Sequence, residues 1–232
     1  MNKTLIALLA TVALSPLSPA SAADIEAPAA YDWTGFYLGI HGGYGWGTSD
    51  TNDIFAYDLD PKGWFGGGQA GYNYQLPNKI VLGIEADVSF GNLKDDSQVL
   101  TDLIIGPDIP TDAEVKVKTF GTARLRAGYA FDRVMPYVTG GLGWARQEAD
   151  YFQDYLPGVL TNELNDTKTY LGWTLGAGIE AALTDNLTVK IEYLYSDLGS
   201  KEYEGTLSII GKYPVDIDLE IQTVRLGLNY KF

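Results

Sequence analysis

The sequence predicts an all-β fold: an eight-stranded, antiparallel, up-and-down transmembrane β-barrel. Three observations carry the prediction. The chain ends on a segment in which Val224, Leu226, Leu228, Tyr230 and Phe232 share one parity and Thr223, Arg225, Gly227, Asn229 and Lys231 the other, so one face is apolar and closes on an aromatic residue. Seven further segments alternate with the same period of two. The connections between the eight take strict turns between short and long, as a barrel with short turns at one membrane surface and long loops at the other requires. A soluble β-sandwich has no reason to sort its loops in this way.

In chain order, strand one (33–47) turns Phe36, Leu38, Ile40, Tyr44 and Trp46 outward, and strand two (64–75) turns Trp64, Ala70, Tyr72 and Tyr74. Strand three (80–90) sets Ile80, Leu82, Ile84, Ala86, Val88 and Phe90 against Gly83, Glu85, Asp87 and Ser89. Strand four (115–131) sets Val117, Ala123, Leu125, Ala127 and Tyr129 outward against Lys118, Thr122, Arg124 and Arg126. Strand five (135–146) presents Val138, Leu142 and Trp144, and the alternation leaves the faces of Phe120 and Tyr137 open. Strand six (169–183) shows Leu171, Trp173, Leu175, Ala177 and Ile179; strand seven (187–197) shows Leu187, Val189, Ile191, Tyr193 and Tyr195. The terminal segment is strand eight.

The short connections are Leu76-Pro77-Asn78-Lys79, Asp132-Arg133-Val134 and Thr184-Asp185-Asn186, and the long ones fall near 48–63, 91–114, 147–168 and 197–216. An even strand number returns both termini to the short-turn side, which is periplasmic in an outer membrane. This topology gathers the outward aromatics into two belts. Phe36, Tyr72, Tyr74, Tyr129, Tyr230 and Phe232 lie at the periplasmic ends, and Trp46, Trp64, Phe90, Trp144, Tyr193 and Tyr195 at the external ends. Amphipathic rings gather at both membrane interfaces for this reason.

Residues 1–22 read as a secretory signal peptide: Lys3, an apolar run from Leu5 to Leu14, then Ala20-Ser21-Ala22 as an A-x-A cleavage site. Residues 23–32 then form a short periplasmic tail and 33–232 the barrel. No stretch approaches the roughly 20 uninterrupted apolar residues of a membrane-spanning helix, so any span is built from strands. The absence of cysteine removes a disulfide framework, a thiol nucleophile and a lipid-bearing cysteine behind the leader. A net charge of −14 excludes nucleic acid as a natural partner. That acidity sits in the four long loops.

The inward parity carries Glu85, Asp87, Glu180 and Glu192 against Arg124, Arg126, Lys190 and Arg225, a set that sums to zero. An eight-stranded barrel is only wide enough inside for its own side chains, and an unpaired charge there is costly. The set therefore predicts a salt-bridged plug, with Arg124 and Arg126 neutralising Glu85 and Asp87 across neighbouring strands. The acidic loops are solvated, or recruit divalent cations that bridge to lipopolysaccharide phosphates.

Other motifs carry no chemistry. Gly66-Gly67-Gly68-Gln69-Ala70-Gly71 matches a dinucleotide fingerprint, but a strand follows where that fingerprint needs a helix. Asp58-Leu59-Asp60-Pro61-Lys62-Gly63 opens like a calcium loop, but Lys62 replaces a ligand and Gln69 stands where the bidentate Glu belongs. His41, the only histidine, reads as a lumen filler with no serine evident beside it. The expectation is a protein without catalytic residues, metal or cofactor.

Tyr31-Asp32-Trp33-Thr34-Gly35-Phe36-Tyr37-Leu38-Gly39, Met135-Pro136-Tyr137-Val138-Thr139-Gly140-Gly141-Leu142-Gly143 and Leu226-Gly227-Leu228-Asn229-Tyr230-Lys231-Phe232 together resemble the porin-like outer-membrane β-barrel family of alphaproteobacteria, which includes surface immunogens and haemin-binding surface proteins. The resemblance covers the whole mature chain and marks no activity. It implies an abundant envelope protein in the outer membrane of a Gram-negative bacterium that supports membrane integrity and contacts host or environmental ligands; as a membrane-embedded barrel, its expected neighbours are outer-membrane lipids and lipopolysaccharide. It also implies a closing strand, with Tyr230 and Phe232, that the barrel-insertion machinery reads. The alternatives it carries are a small-solute porin and a haemin-binding protein; haemin would need an axial ligand outside the lumen, for which Tyr57, Tyr151, Tyr155, Tyr203 and Tyr213 are the loop candidates, but the surrounding acids would repel its propionates.

Overall fold

A computed structural model describes residues 31–51, 60–95, 98–101, 109–156, 160–207 and 211–232. The expected leader at 1–22 and the tail up to residue 30 lie outside the described residues, as do Asp58 and Leu59. Among the described residues there are nine strands: β1 (Gly35–Thr51), β2 (Lys62–Gln75), β3 (Ile80–Asp95), β4 (Gln98–Thr101), β5 (Ile109–Tyr129), β6 (Val134–Leu156), β7 (Leu160–Ala182), β8 (Leu187–Leu207) and β9 (Gly211–Lys231). Sequential antiparallel pairing, a β3–β5 ladder and a β1–β9 ladder close eight of them into a ring. The short β4 stands outside the ring, paired to β5 beyond the membrane end.

The three short turns and both described ends of the chain sit at one end of the barrel, here the turn end; the loop end is opposite. At the turns, Lys79 and Asp132 adopt left-handed backbone with φ of 69° and 55°. Gly35, at φ 146°, swings the chain from the turn-end mouth into β1; there a Cβ would lie 3.1 Å from the Phe232 carbonyl oxygen.

Alternation decides the two faces as the sequence indicates. Leu38, Ile84, Leu125, Leu142, Leu175, Ile191 and Leu226 stand exposed on the outer wall. The aromatic belts form: Phe36 against Tyr72 at 4.6 Å and Tyr230 against Phe232 at 5.2 Å near the turns, Tyr44 against Trp64 at 5.2 Å and Trp173 against Tyr195 at 5.5 Å toward the loops.

Three expectations change, and one open point is settled. The long connections at 147–168 and 197–216 are largely strand, since β6 and β7 pair out to Leu156 and Leu160, and β8 and β9 to Leu207 and Gly211. Hairpin hydrogen bonds need no lipid, so pairing outruns the apolar alternation that marked the strand limits. Trp33 is not the start of strand one; it is buried in the mouth ahead of Gly35. Val117 and Lys118 exchange faces, Val117 being wholly buried and Lys118 exposed. A β-bulge between Val117 and Thr119 inserts one residue and inverts the parity of everything before it. Phe120 and Tyr137, left open by the alternation, both point inward.

Candidate functional site in the barrel lumen

The predicted lumen residues come together. Glu85 and Asp87 (β3), Arg124 and Arg126 (β5), Glu180 (β7), Lys190 and Glu192 (β8) and Arg225 (β9) are all buried and form one layer at mid-height. Both oxygens of every carboxylate accept hydrogen bonds. Glu85 takes Arg124 Nη2 at 2.5 Å, Lys190 Nζ at 2.7 Å and the Tyr37 hydroxyl at 2.7 Å. Asp87 takes Arg225 Nη1 at 3.1 Å, Arg124 Nη2 at 3.2 Å and the Thr122 hydroxyl. Glu192 takes Arg225 Nε at 2.6 Å, Arg124 Nη1 at 3.0 Å and the Tyr137 hydroxyl at 2.9 Å. Arg124 thus touches three acids at once. Charged hydrogen bonds of this number are what a buried ion set needs to offset desolvation.

The backbone makes room for these long side chains. Register sets Gly141 directly across from Arg124 and Gly43 across from Arg225. A Cβ at Gly141 would lie 2.7 Å from the Arg124 Cα, and one at Gly43 would lie 2.9 Å from the Arg225 Cα. Inward glycines therefore serve the guanidinium groups that face them.

One pairing differs from expectation. Arg126 is bound chiefly to Glu180, at 2.6 Å, and stands 3.7 Å from Glu85. It sits nearer the turns than Arg124 and lies over the Tyr137 ring, 4.0 Å from its centroid, which carries it across the lumen to β7. Glu180 is completed by Thr188 at 2.5 Å and Asn229 at 2.9 Å.

His41 lies beside this layer, and a serine does stand next to it. Its Nε2 is 2.8 Å from Ser89 Oγ and its Nδ1 is 2.6 Å from Gln69 Oε1. Strand β3 brings Ser89 across from β1 with β2 between them, a proximity that spacing in the sequence does not reveal. Gln69 continues to Asn229 at 2.6 Å, and Asn229 to Glu180. Ser89 exposes 0 % of its surface, so the row acts as a buried hydrogen-bond chain tied to the charged layer.

Above and below the charges the lumen turns apolar, which the alternation did not reveal. Toward the loops Phe65, Leu93, Val117, Phe120, Tyr170 and Ile221 belong to one cluster. Toward the turns Tyr31, Trp33, Val81, Met135, Tyr137 and Ala182 belong to another. The chain ahead of β1 fills this mouth: Trp33 Nε1 donates to the Asp132 carbonyl at 3.0 Å and its amide to Gln75 Oε1 at 2.9 Å. Between the charges and the loop-end cluster, a cavity of about 10 Å³ beside Asp87, Thr122 and Arg225 is scarcely a water's worth of space.

The outer membrane protein beta-barrel domain model matches residues 7–232. The chain belongs to that family. Among relatives, the 31 kDa outer-membrane immunogenic protein of Brucella melitensis is 37% identical over 97% of this chain and 93% of its own. The 25 kDa outer-membrane immunogenic protein of Brucella abortus is 34% identical over 92% and 86%. In structure, the outer membrane protease OmpT of Escherichia coli superposes with a TM-score of 0.54 at 11% identity, over 89% of this chain and 99% of that one; this likeness is one of fold. As an outer membrane β-barrel protein the chain resides in the outer membrane of a Gram-negative bacterium. Its turn end is periplasmic and its loop end external. Of the haemin candidates, Tyr57 lies outside the described residues, as do the side chains of Tyr151, Tyr155, Tyr203 and Tyr213.

Proposed function

We propose that this outer membrane β-barrel protein is a closed structural element of the envelope: it spans the membrane, blocks its own lumen with paired charges, and meets the surroundings through its acidic external loops. The observation that supports this reading is the three-layer lumen, in which eight charged side chains bonded to one another lie between two apolar clusters. On this reading the three layers together close the lumen to a hydrated solute. Catalysis has no part in the reading, and the relatives' names speak of place and immunogenicity alone.

Tyr230 and Phe232 are proposed as the segment that the insertion machinery reads. Both are exposed on the outer wall at the periplasmic belt, and the Phe232 amide donates to the Phe36 carbonyl at 2.9 Å, at the seam where the first and last strands meet.

Planar-bilayer recording tests the closed lumen. The refolded protein is expected to give no steady conductance, while replacing Arg124 and Arg126 together by Ala should produce openings. Stable steps from the unaltered protein would overturn the plug and favour a small-solute porin.

A further inference from the structure

Within the membrane the ring of strands is closed, but on the external side it splits. The β7–β8 ladder ends at Trp173 and Asp197, whereas β6 and β7 stay paired to Leu156 and Leu160, and β8 and β9 to Leu207 and Gly211. Among the described residues, β7 over 160–172 and β8 over 198–207 therefore carry a ladder on one side alone. A β-bulge is the cause. Lying between Asp197 and Ser200, with Gly199 in left-handed backbone at φ 70°, it turns Leu198 into the loop-end cluster and bends β8 away from β7. The two hairpins so leave a notch between them.

The β8 wall of the notch presents backbone. Lys168 Nζ, from β7, donates to the Glu202 carbonyl, so the Glu202 peptide groups face away from β9. Two residues on, Glu204 stands opposite Pro214, which has no N–H to give, as befits a pair that exchanges no ladder hydrogen bonds. Alternation then turns the N–H and C=O of Ser200, Glu202, Glu204 and Thr206 into the notch. Edges of this kind are normally blunted. Pro214 does so on the far side of the hairpin, where β9 has passed its last β1 partner at Ile217, but residues 198–207 contain no proline. Because a lysine side chain crosses the notch, its walls stand farther apart than the roughly 4.8 Å of paired strands.

Charge names the occupant. Residues 147–172 and 198–220, which frame the notch, contain ten acids against three lysines, and the donor that crosses to the β8 edge is itself an ammonium group. A second copy of this chain, equally acidic, would be repelled from the same edge.

We propose that the β8 edge from Ser200 to Thr206 binds an extended, cationic peptide segment, which adds to the sheet as a further strand and displaces Lys168 from the Glu202 carbonyl. Main-chain hydrogen bonds hold the segment, and the acidic frame selects for lysine and arginine and speeds encounter. The inference gives a ligand class to the surface contact in the proposed function and rests on that part of it. It does not depend on the closed lumen, and its failure would leave the conductance test untouched.

The folded protein in detergent micelles is titrated with short fluorescent peptides: alternating Lys and Thr, alternating Glu and Thr, and the Lys–Thr peptide N-methylated at alternate residues, which keeps its charge but cannot complete a ladder. Anisotropy reads affinity, and hydrogen exchange reads the amides of Glu202 and Glu204. The basic peptide should bind, less tightly as salt rises, and should slow exchange at both amides. The N-methylated peptide should bind at least about tenfold more weakly, for the loss of two or more hydrogen bonds, and the acidic peptide should not bind. Glu204→Pro removes an amide that faces the notch and none from the β8–β9 ladder; it should weaken binding of the basic peptide about fivefold or more, the share of one hydrogen bond. Glu204→Gln, which removes only the charge, should weaken it less. If the proline variant does not fold, the N-methylated peptide decides the matter on the unaltered protein. No binding of the basic peptide, equal binding of either control peptide, or unchanged exchange at Glu202 and Glu204 would overturn the assignment.

Discussion

At mid-height in the lumen, Arg124 and Arg225 are held among Glu85, Asp87 and Glu192, whereas at the periplasmic mouth Val81, Met135 and Ala182 are held by apolar contact. Both regions are buried, both lie inside the same eight strands, and their backbones alternate in the same way. They differ in what a vacancy would cost. An apolar group removed from the mouth leaves a space that neighbours can partly close. A cation removed from the middle leaves the layer with one negative charge that the remaining cations do not balance. The middle is therefore the region where composition must balance, and the ends are where volume must.

The sharpest test of that contrast is Arg124→Ala, because Arg124 serves three acids. It should cost about 3–5 kcal/mol, the range for breaking a buried ion set from one side, read as lost urea resistance of the folded band. Combining Arg225→Leu with Glu192→Leu, which removes one charge of each sign, should cost less than Arg225→Leu alone. If the pair costs as much as the single change, the balance of charge is not what the layer depends on.

Met135→Ala at the mouth should cost less, about 2–3 kcal/mol, toward the low end for a buried methionine, because the adjoining turn can settle into the space. It should also leave conductance unchanged, since the charged layer above it is intact. A loss matching that of Arg124→Ala would erase the distinction between middle and end.

Smallest of all should be Arg133→Ala. Arg133 and Asp185 pair at 2.8 Å between two periplasmic turns, as close as the pairs in the lumen, yet both side chains are largely in water. Exposed pairs contribute about 0–1 kcal/mol, so the urea midpoint should scarcely move. A large shift would mean that geometry alone, and not burial, sets the strength of the ion pairs in this protein.

The eight charged lumen residues were legible because a strand repeats with period two, and lipid on one side forces every charge to the other. The same period misplaced Val117 and Lys118, for a bulge adds a residue without any mark in the sequence. His41 and Ser89 are far apart in the chain and become neighbours only through cross-strand register.

The sequence by itself determined the barrel: eight alternating segments, strict short and long connections, aromatic belts and a neutral set of inward charges all follow from burying one face in hydrocarbon and closing every backbone hydrogen bond. Only the tertiary structure decided who pairs with whom. Arg126 reaches Glu180 and not Asp87, Trp33 folds back into the mouth, hairpins run on past the membrane, and a bulge turns Lys116 and Lys118 from the lumen to the outer wall. Each of these depends on the relative height and rotation of strands around a closed ring, a quantity set by all the ladders together and by no single stretch of residues.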